Sequence, residues 1–216
     1  DGIRDKLVTG VQTCALPISA TSAPFGLRPA FHPSGLDRAV ALANGIETVS
    51  TSGNTSLGYA SNIFKGAPVK MNTAGYIENI SSNEAFLGAF AGVEWTDATG
   101  RRRVSNFWPA NESFQVGSVI AYYYQDPNIV YEIQAAGTLS QNAIGDQYDV
   151  SSPTAGSTST GLSSAAMSTT AAGSGATNQL RVINIAPYPD NAWGDDYPIV
   201  QVQIALSQYV AAINAI

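Results

Sequence analysis

Short runs of β-branched and aromatic residues, each followed by a turn-forming residue, recur through the middle and end of the chain. Such runs fit a pleated sheet, and the Gly, Asn, Asp and Pro residues between them favour turns. The predicted strands are 68–71, 75–80, 86–95, 103–108, 118–125, 129–134, 179–185 and 199–204. We therefore predict a mainly β fold, a compact β-barrel or β-sandwich whose domain comprises 63–150 and 179–206.

The run SVIAYYYQ at 118–125 alternates only loosely between apolar and polar residues. This pattern fits a strand that is buried on both faces or one that lies at a subunit contact. Tyr122, Tyr123 and Tyr124 therefore have two interpretations: a core strand with one exposed ring, or a protein interface, where tyrosine is enriched.

Residues 151–178 are almost free of charge and consist mainly of Ser, Thr, Ala and Gly. Because this composition offers little apolar surface to bury, we predict a long loop inserted in the β domain, with Leu162 and Met167 as possible anchors. It is either a flexible surface loop or one that a neighbouring subunit orders.

The N-terminal region contains three closely spaced prolines, Pro24, Pro29 and Pro33. Proline fixes φ and pushes the preceding residue to an extended conformation, so a helix is excluded here. We predict an extended N-terminal arm over 20–62, with Phe25, Leu27 and Phe31 as apolar anchors. At the other end, 207–216 is predicted to be a short tail.

Residues 1–19 differ in character from the rest of the chain, and VTGVQTCALPI at 8–18 resembles a translated sequencing-library adapter. This resemblance implies a non-native segment, so that fold reasoning begins near Ala20. The only cysteine, Cys14, lies within it. The native protein is therefore expected to have no disulfide and no thiolate chemistry.

The charge distribution limits the possible partners. The formal net charge is -6, and Arg181 is the only basic residue after Val104. Because a phosphate-binding surface needs clustered Lys and Arg, we expect no nucleic-acid partner. No apolar stretch is long enough for a membrane helix, so no membrane partner is expected. The one basic cluster, 101–103, is interpreted as a solvated hairpin turn or a contact to an acidic neighbouring subunit.

Residues that could carry chemistry are few. His32 is the only histidine, and a catalytic or metal-binding His needs partner groups converging on it. The carboxylates at 190–196 could hold calcium but lack EF-hand spacing, and turn formation is the favoured interpretation. We therefore expect no enzyme, no metal and no cofactor.

Several segments resemble virion structural proteins of tailed bacteriophages. They are APFGLRP at 23–29, FKGAPV at 64–69, GAFAGVEWTD at 88–97, SNFWP at 105–109, DPNIVYEIQ at 126–134 and IGD at 144–146. The order Gly-x-Pro-Val, a Gly turn and a hydrophobic run also resembles capsid decoration, or cement, proteins of the lambda type. Two features depart from that type: the insertion at 151–178 and the greater length.

This resemblance implies a homotrimer on the outer surface of the virion capsid, bound to the major capsid protein. The arm residues that would contact the capsid are Pro24, Phe25, Leu27, Arg28 and Phe31. The candidates for the subunit interface are Tyr122, Tyr123, Tyr124 and Trp108.

Two alternatives stay open. The chain could be another virion component, from the tail or the major lattice. It could also be a secreted bacterial β-domain, an adhesin or a carbohydrate-binding module that uses Trp95, Trp108 and Trp193 as stacking platforms.

Overall fold

A computed structural model describes residues 21–35 and 38–211 of the protein. The adapter-like sequence at 8–18, Cys14 and the whole predicted non-native stretch lie outside the described residues.

The described residues form short strands and one 3-10 turn, Gln141–Ala143. The strands are β1 (Arg28–Phe31), β2 (Val40–Ala43), β3 (Thr48–Ser52), β4 (Thr55–Gly58), β5 (Pro68–Met71), β6 (Ile77–Asn79), β7 (Gly88–Thr96), β8 (Arg102–Ser105), β9 (Ser113–Gln115), β10 (Ile120–Tyr123), β11 (Val130–Gln134), β12 (Gln147–Ser151), β13 (Gly156–Ser157), β14 (Leu162–Ser163), β15 (Ala166–Ala171), β16 (Leu180–Ile185) and β17 (Ile199–Ile204). The predicted mainly β class is confirmed. No described sheet closes into a barrel, and the open antiparallel sheets are consistent with a sandwich-like class.

The first sheet has the order β1-β11-β17-β16-β12-β15, and every neighbouring pair is antiparallel. Its strand β17 alternates as its sequence predicts: Val200, Val202 and Ile204 are buried, whereas the two glutamines between them are partly exposed. Strand β11, by contrast, is buried along its whole length.

The second sheet has the order β2-β10-β7-β5-β6, with β8 also paired to β7. The β5–β6 hairpin contains the turn predicted at 72–75. There the side-chain oxygen of Asn72 accepts the backbone N–H groups of Ala74 and Tyr76, each at 3.0 Å. Two smaller sheets, β3-β4-β9 and β13-β14, complete the described structure.

Two hydrophobic clusters form the core. The first includes Tyr131, Val202 and Ala89, and the second includes Phe90 and Trp108. Because Ala89 and Phe90 are successive residues of β7, their side chains point to opposite faces of the second sheet. That sheet is therefore covered on both faces.

The predicted arm, 20–62, differs from the observed structure over most of its length. Residues 21–27 carry no secondary structure, but the strands β1 to β4 join three different sheets. Prolines exclude a helix, yet they are compatible with an edge strand, and Pro29 lies in β1 at the edge of the first sheet.

The predicted loop, 151–178, also differs, because it contains β13, β14 and β15. Within it Met167 is fully buried against the first cluster, whereas Leu162 is exposed. Few apolar side chains are needed here because the segment adds strands to an existing core instead of forming its own. At the start of the predicted tail, the amide of Gln208 bonds to both the N–H and the C=O of Met71, at 2.8 and 3.0 Å.

Candidate functional site

The residues predicted to contact a capsid are distributed between the core and the surface. Leu27 is fully buried in the first cluster, and Pro24 and Phe25 are half-buried. Arg28 and Phe31 are exposed, with 48% of Phe31 accessible. Leu27 therefore serves the chain's own core, and the other four offer surface to a partner.

The predicted interface candidates divide in the same way. Trp108 and Tyr123 are buried in the second cluster, so a subunit interface at these two side chains is not compatible with the structure. Burial also raises the pKa of the Tyr123 phenol to about 12. Tyr122 and Tyr124 are half-buried, and the Tyr122 hydroxyl donates to Glu94 at 3.1 Å.

The three tryptophans do not form an exposed platform. Trp95 and Trp108 are buried and pack edge to face, with ring centroids 5.5 Å apart. Trp193 packs against the other cluster and is partly buried. The arrangement expected of a tryptophan-lined carbohydrate site is therefore missing from the described residues.

His32 has two partners that its sequence position does not reveal. Its Nε2 lies 2.9 Å from Oδ2 of Asp126, 94 residues away, and its Nδ1 lies 2.6 Å from Oγ of Ser34. Nδ1 also accepts the backbone N–H of Ser34 at 3.0 Å, and Gly35 N–H bonds back to the His32 carbonyl. The ring thus closes a tight turn and links β1 to the β10–β11 connection.

The basic cluster at 101–103 lies on the β7–β8 hairpin. Arg102 pairs with Glu94, and Nε of Arg103 donates to Asp97 at 2.8 Å. Hydrogen bonds from Thr99 and from the backbone of Arg101 hold the pKa of the Asp97 carboxyl well below its usual range. Arg101 makes no ion pair with any described residue. Nor do the described residues contain a group of three or more side chains that could hold a metal ion.

A cavity of about 290 Å³ lies where the N-terminal segment crosses between the two sheets. We call it the inter-sheet groove; its lining includes Phe25, Leu27, Arg28, Lys65, Phe90, Tyr124 and Leu162. Leu27 and Phe90 are buried, whereas Lys65 and Leu162 are exposed. The groove therefore has an apolar floor and a cation at its mouth, and it brings residues of the predicted arm together with one predicted interface tyrosine.

Backbone hydrogen bonds fix the walls of the groove. Leu27 N–H donates to the Gly66 carbonyl at 2.8 Å, and Gly66 N–H donates to the Phe90 carbonyl at 2.8 Å. A Cβ on Gly26 would lie only 2.4 Å from the Gly66 oxygen, and Gly26 has a φ of 75°. Glycine is required at this crossing, and the groove is preformed.

A wider cavity of about 480 Å³ adjoins the groove and shares Phe25 and Arg28 with it. The Arg28 guanidinium pairs with Glu132 at 2.5 Å and donates to the Tyr188 hydroxyl at 2.6 Å. Tyr188 in turn donates to Glu132 at 2.7 Å, and this hydrogen bond raises the pKa of the Tyr188 phenol. The Arg28 charge is thus already neutralised within the chain.

Some edge strands carry charge or proline and others do not. β1 carries Arg28 and Pro29, and β8 carries two arginines. Charged residues and proline on an edge strand disfavour pairing with a further strand. β2, β3 and the second half of β15, at 168–171, lie at sheet edges and contain neither charge nor proline. Every residue of β3 is exposed.

Comparisons with protein-family models, curated proteins and solved structures find no match to this chain. Among the described residues, no helix has the length and apolarity needed to span a membrane.

Proposed function

We propose that this chain is a bacteriophage capsid decoration protein that binds the outer capsid surface, stabilises the lattice and performs no catalysis. The observation that carries the proposal is the set of edges without charge or proline on β2, β3 and the second half of β15. An open edge presents unpaired N–H and C=O groups to any other strand, and a protein that acts alone usually blocks it with charge or proline.

The contrast within the chain strengthens this argument. β1 and β8 carry the usual protection, so the sequence does block some of its edges. The strands left open contain only Ser, Thr, Ala, Val and Leu or, in the second half of β15, only Ser, Thr and Ala. Uncharged edges can approach a neighbouring subunit without the repulsion that a net charge of -6 would otherwise produce. This supports a subunit of a larger assembly.

The choice of a virion rests on the resemblance of segments such as 23–29, 64–69 and 88–97 to structural proteins of tailed bacteriophages. The choice of a capsid surface and of a homotrimer rests on the order Gly-x-Pro-Val, a Gly turn and a hydrophobic run, which resembles decoration proteins of the lambda type. The major capsid protein is then the partner. Exposed Phe31 and half-buried Phe25 supply apolar contacts on the N-terminal side of the domain.

The proposal is tested by adding the purified protein to expanded, undecorated capsids of the cognate phage. We expect saturable binding at a fixed copy number and a higher temperature of capsid disruption, because any ligand of the assembled state stabilises it. Finding neither binding nor added heat resistance would overturn the proposal. Imaging of native particles then separates a decoration site from a tail or lattice position, which differ in copy number and location.

Burial of the tryptophans counts against the carbohydrate-binding form of the secreted-domain alternative. Its stacking platform requires exposed tryptophans, but Trp95 and Trp108 are buried. The adhesin form does not depend on such a platform and stays an alternative.

A further inference from the structure

The inter-sheet groove combines three properties that suit a protein contact. Its floor is apolar and aromatic, its walls are fixed by backbone hydrogen bonds, and two exposed basic side chains, Lys65 and Arg28, are part of its lining. A preformed pocket costs little conformational entropy on binding, and buried apolar anchors at such pockets contribute much of the energy of an interface.

Lys65 gives the groove an unneutralised positive charge. It is exposed and makes no ion pair with any described residue, whereas the Arg28 guanidinium beside it is paired with Glu132. In a chain with only 10 basic residues and a net charge of -6, an unneutralised lysine beside an apolar pocket favours an anionic partner group.

The size of the groove limits what it can hold. At about 290 Å³ its volume lies just below the range, roughly 300–1,000 Å³, that is typical of small-molecule sites. It therefore suits one apolar side chain more than a cofactor or an extended ligand.

We propose that the inter-sheet groove binds a single large apolar side chain from an acidic segment of a partner protein, with Lys65 pairing a carboxylate next to that side chain. If the proposed function holds, this partner is the capsid lattice protein, and only that part of the inference rests on it.

The direct test uses the free protein and three short capped peptides, followed by NMR chemical-shift changes. The probes are Ala-Glu-Phe-Glu-Ala, its lysine analogue Ala-Lys-Phe-Lys-Ala and its alanine analogue Ala-Glu-Ala-Glu-Ala. We expect the first peptide to shift the amide signals of Leu27, Lys65 and Tyr124, and the other two to leave them unchanged. Equal binding of the lysine analogue, shifts confined to other surfaces, or no shifts at all would overturn the inference.

Charge variants sharpen this test. Lys65→Glu should weaken binding of the acidic peptide about tenfold by replacing a close attraction with a repulsion, and Lys65→Arg should retain it. Arg101→Glu is the matched control, since it makes the same charge change at an exposed residue of the β7–β8 hairpin and should have no effect. If both glutamate variants weaken peptide binding equally, the effect comes from the net charge of the protein, and a role for the groove is refuted.

The capsid assay separates this inference from the proposed function. Peptide binding without capsid uptake would refute the decoration role and leave the groove assignment intact. If the unmodified protein does not bind the acidic peptide and the K65E variant shows normal capsid uptake, the groove assignment is refuted and the decoration role stays intact.

Discussion

The side-chain oxygen of Gln134 accepts the backbone N–H of Ala23 at a distance of 2.8 Å. The amide nitrogen of the same side chain donates to the carbonyls of Thr21 and Tyr197, at 3.0 and 3.2 Å. One buried glutamine at the end of β11 therefore ties the N-terminal segment to the chain before β17.

Gln134→Ala should remove the side-chain hydrogen bonds that hold the N-terminal segment at Thr21 and Ala23. Because three hydrogen bonds are lost, we expect the free energy of unfolding to fall by about 1–3 kcal/mol, with faster hydrogen exchange at the Ala23 amide. Denaturant titration and amide exchange measure the two effects. Gln203→Ala is the control, since its side chain makes one long bond of 3.4 Å; an equal loss in both variants would contradict the tether.

Trp108→Ala should be among the most damaging single substitutions. The ring is fully buried, packs against Trp95 and Phe114, and donates to the Tyr59 carbonyl at 3.1 Å. Truncation of such a side chain costs about 3–5 kcal/mol. Urea unfolding should show a much smaller loss for Trp193→Ala, which removes a partly buried ring. Comparable losses would show that Trp108 is not central to the core.

The Asp97 carboxylate should make stability depend on pH. The pKa of this carboxyl is lower in the folded chain than in the unfolded chain. Its contribution to the free energy of unfolding is therefore fully present above the pKa of the unfolded chain, about 3.9, and decreases as the pH falls below that value. Asp97→Asn should therefore be less stable than the parent at neutral pH, and the difference should shrink in acid.

Denaturant midpoints measured over a pH series check this prediction. Asp190→Asn is the control, because that carboxylate is exposed and makes no hydrogen bond or ion pair with any described residue. A difference between the Asp97→Asn variant and the parent that stays constant with pH would count against a charge-based role.

Under the proposed function, Val49→Lys should leave the fold of the free protein intact and lower its binding to capsids. Val49 is 54% exposed on β3, so the change in the free energy of unfolding should stay within about 0.5 kcal/mol. A lysine on this open edge should hinder strand pairing with a neighbour and lower capsid uptake. Val104→Lys, on the already charged strand β8, should leave uptake unchanged. Normal uptake by the Val49→Lys variant would exclude β3 as a contact.

Local patterns in the sequence predict the strands best where one face is buried. The bounds of β5 and β17 agree with their predicted ranges, and β16 begins one residue later than predicted. Asn72 and Asp97 close their hairpins as expected, because a short acceptor side chain can bond to N–H groups two and four residues ahead.

The features that were missed depend on long-range contacts. Strand β1 forms because Arg28 pairs with Glu132, 104 residues away, and no local pattern reports this. Strand β15 has a composition typical of a loop and becomes a strand by pairing with β12. The inter-sheet groove combines residues from 25 to 162. Its members Phe25, Leu27, Arg28, Tyr124 and Leu162 were singled out from the sequence, whereas Lys65 and Phe90 were not.

The position of β17 within the first sheet has a consequence for biosynthesis. This strand lies between β11 and β16, yet it comes last in the chain among the strands that the structure describes. On the ribosome, a nascent chain therefore has to be synthesised as far as Ile204 before the sheet can close. Until then β11 and β16 each lack their neighbour β17. Such non-local pairing slows folding and exposes strand edges to other chains. Elongation past β17 should thus be the event that commits each newly made chain to its native form.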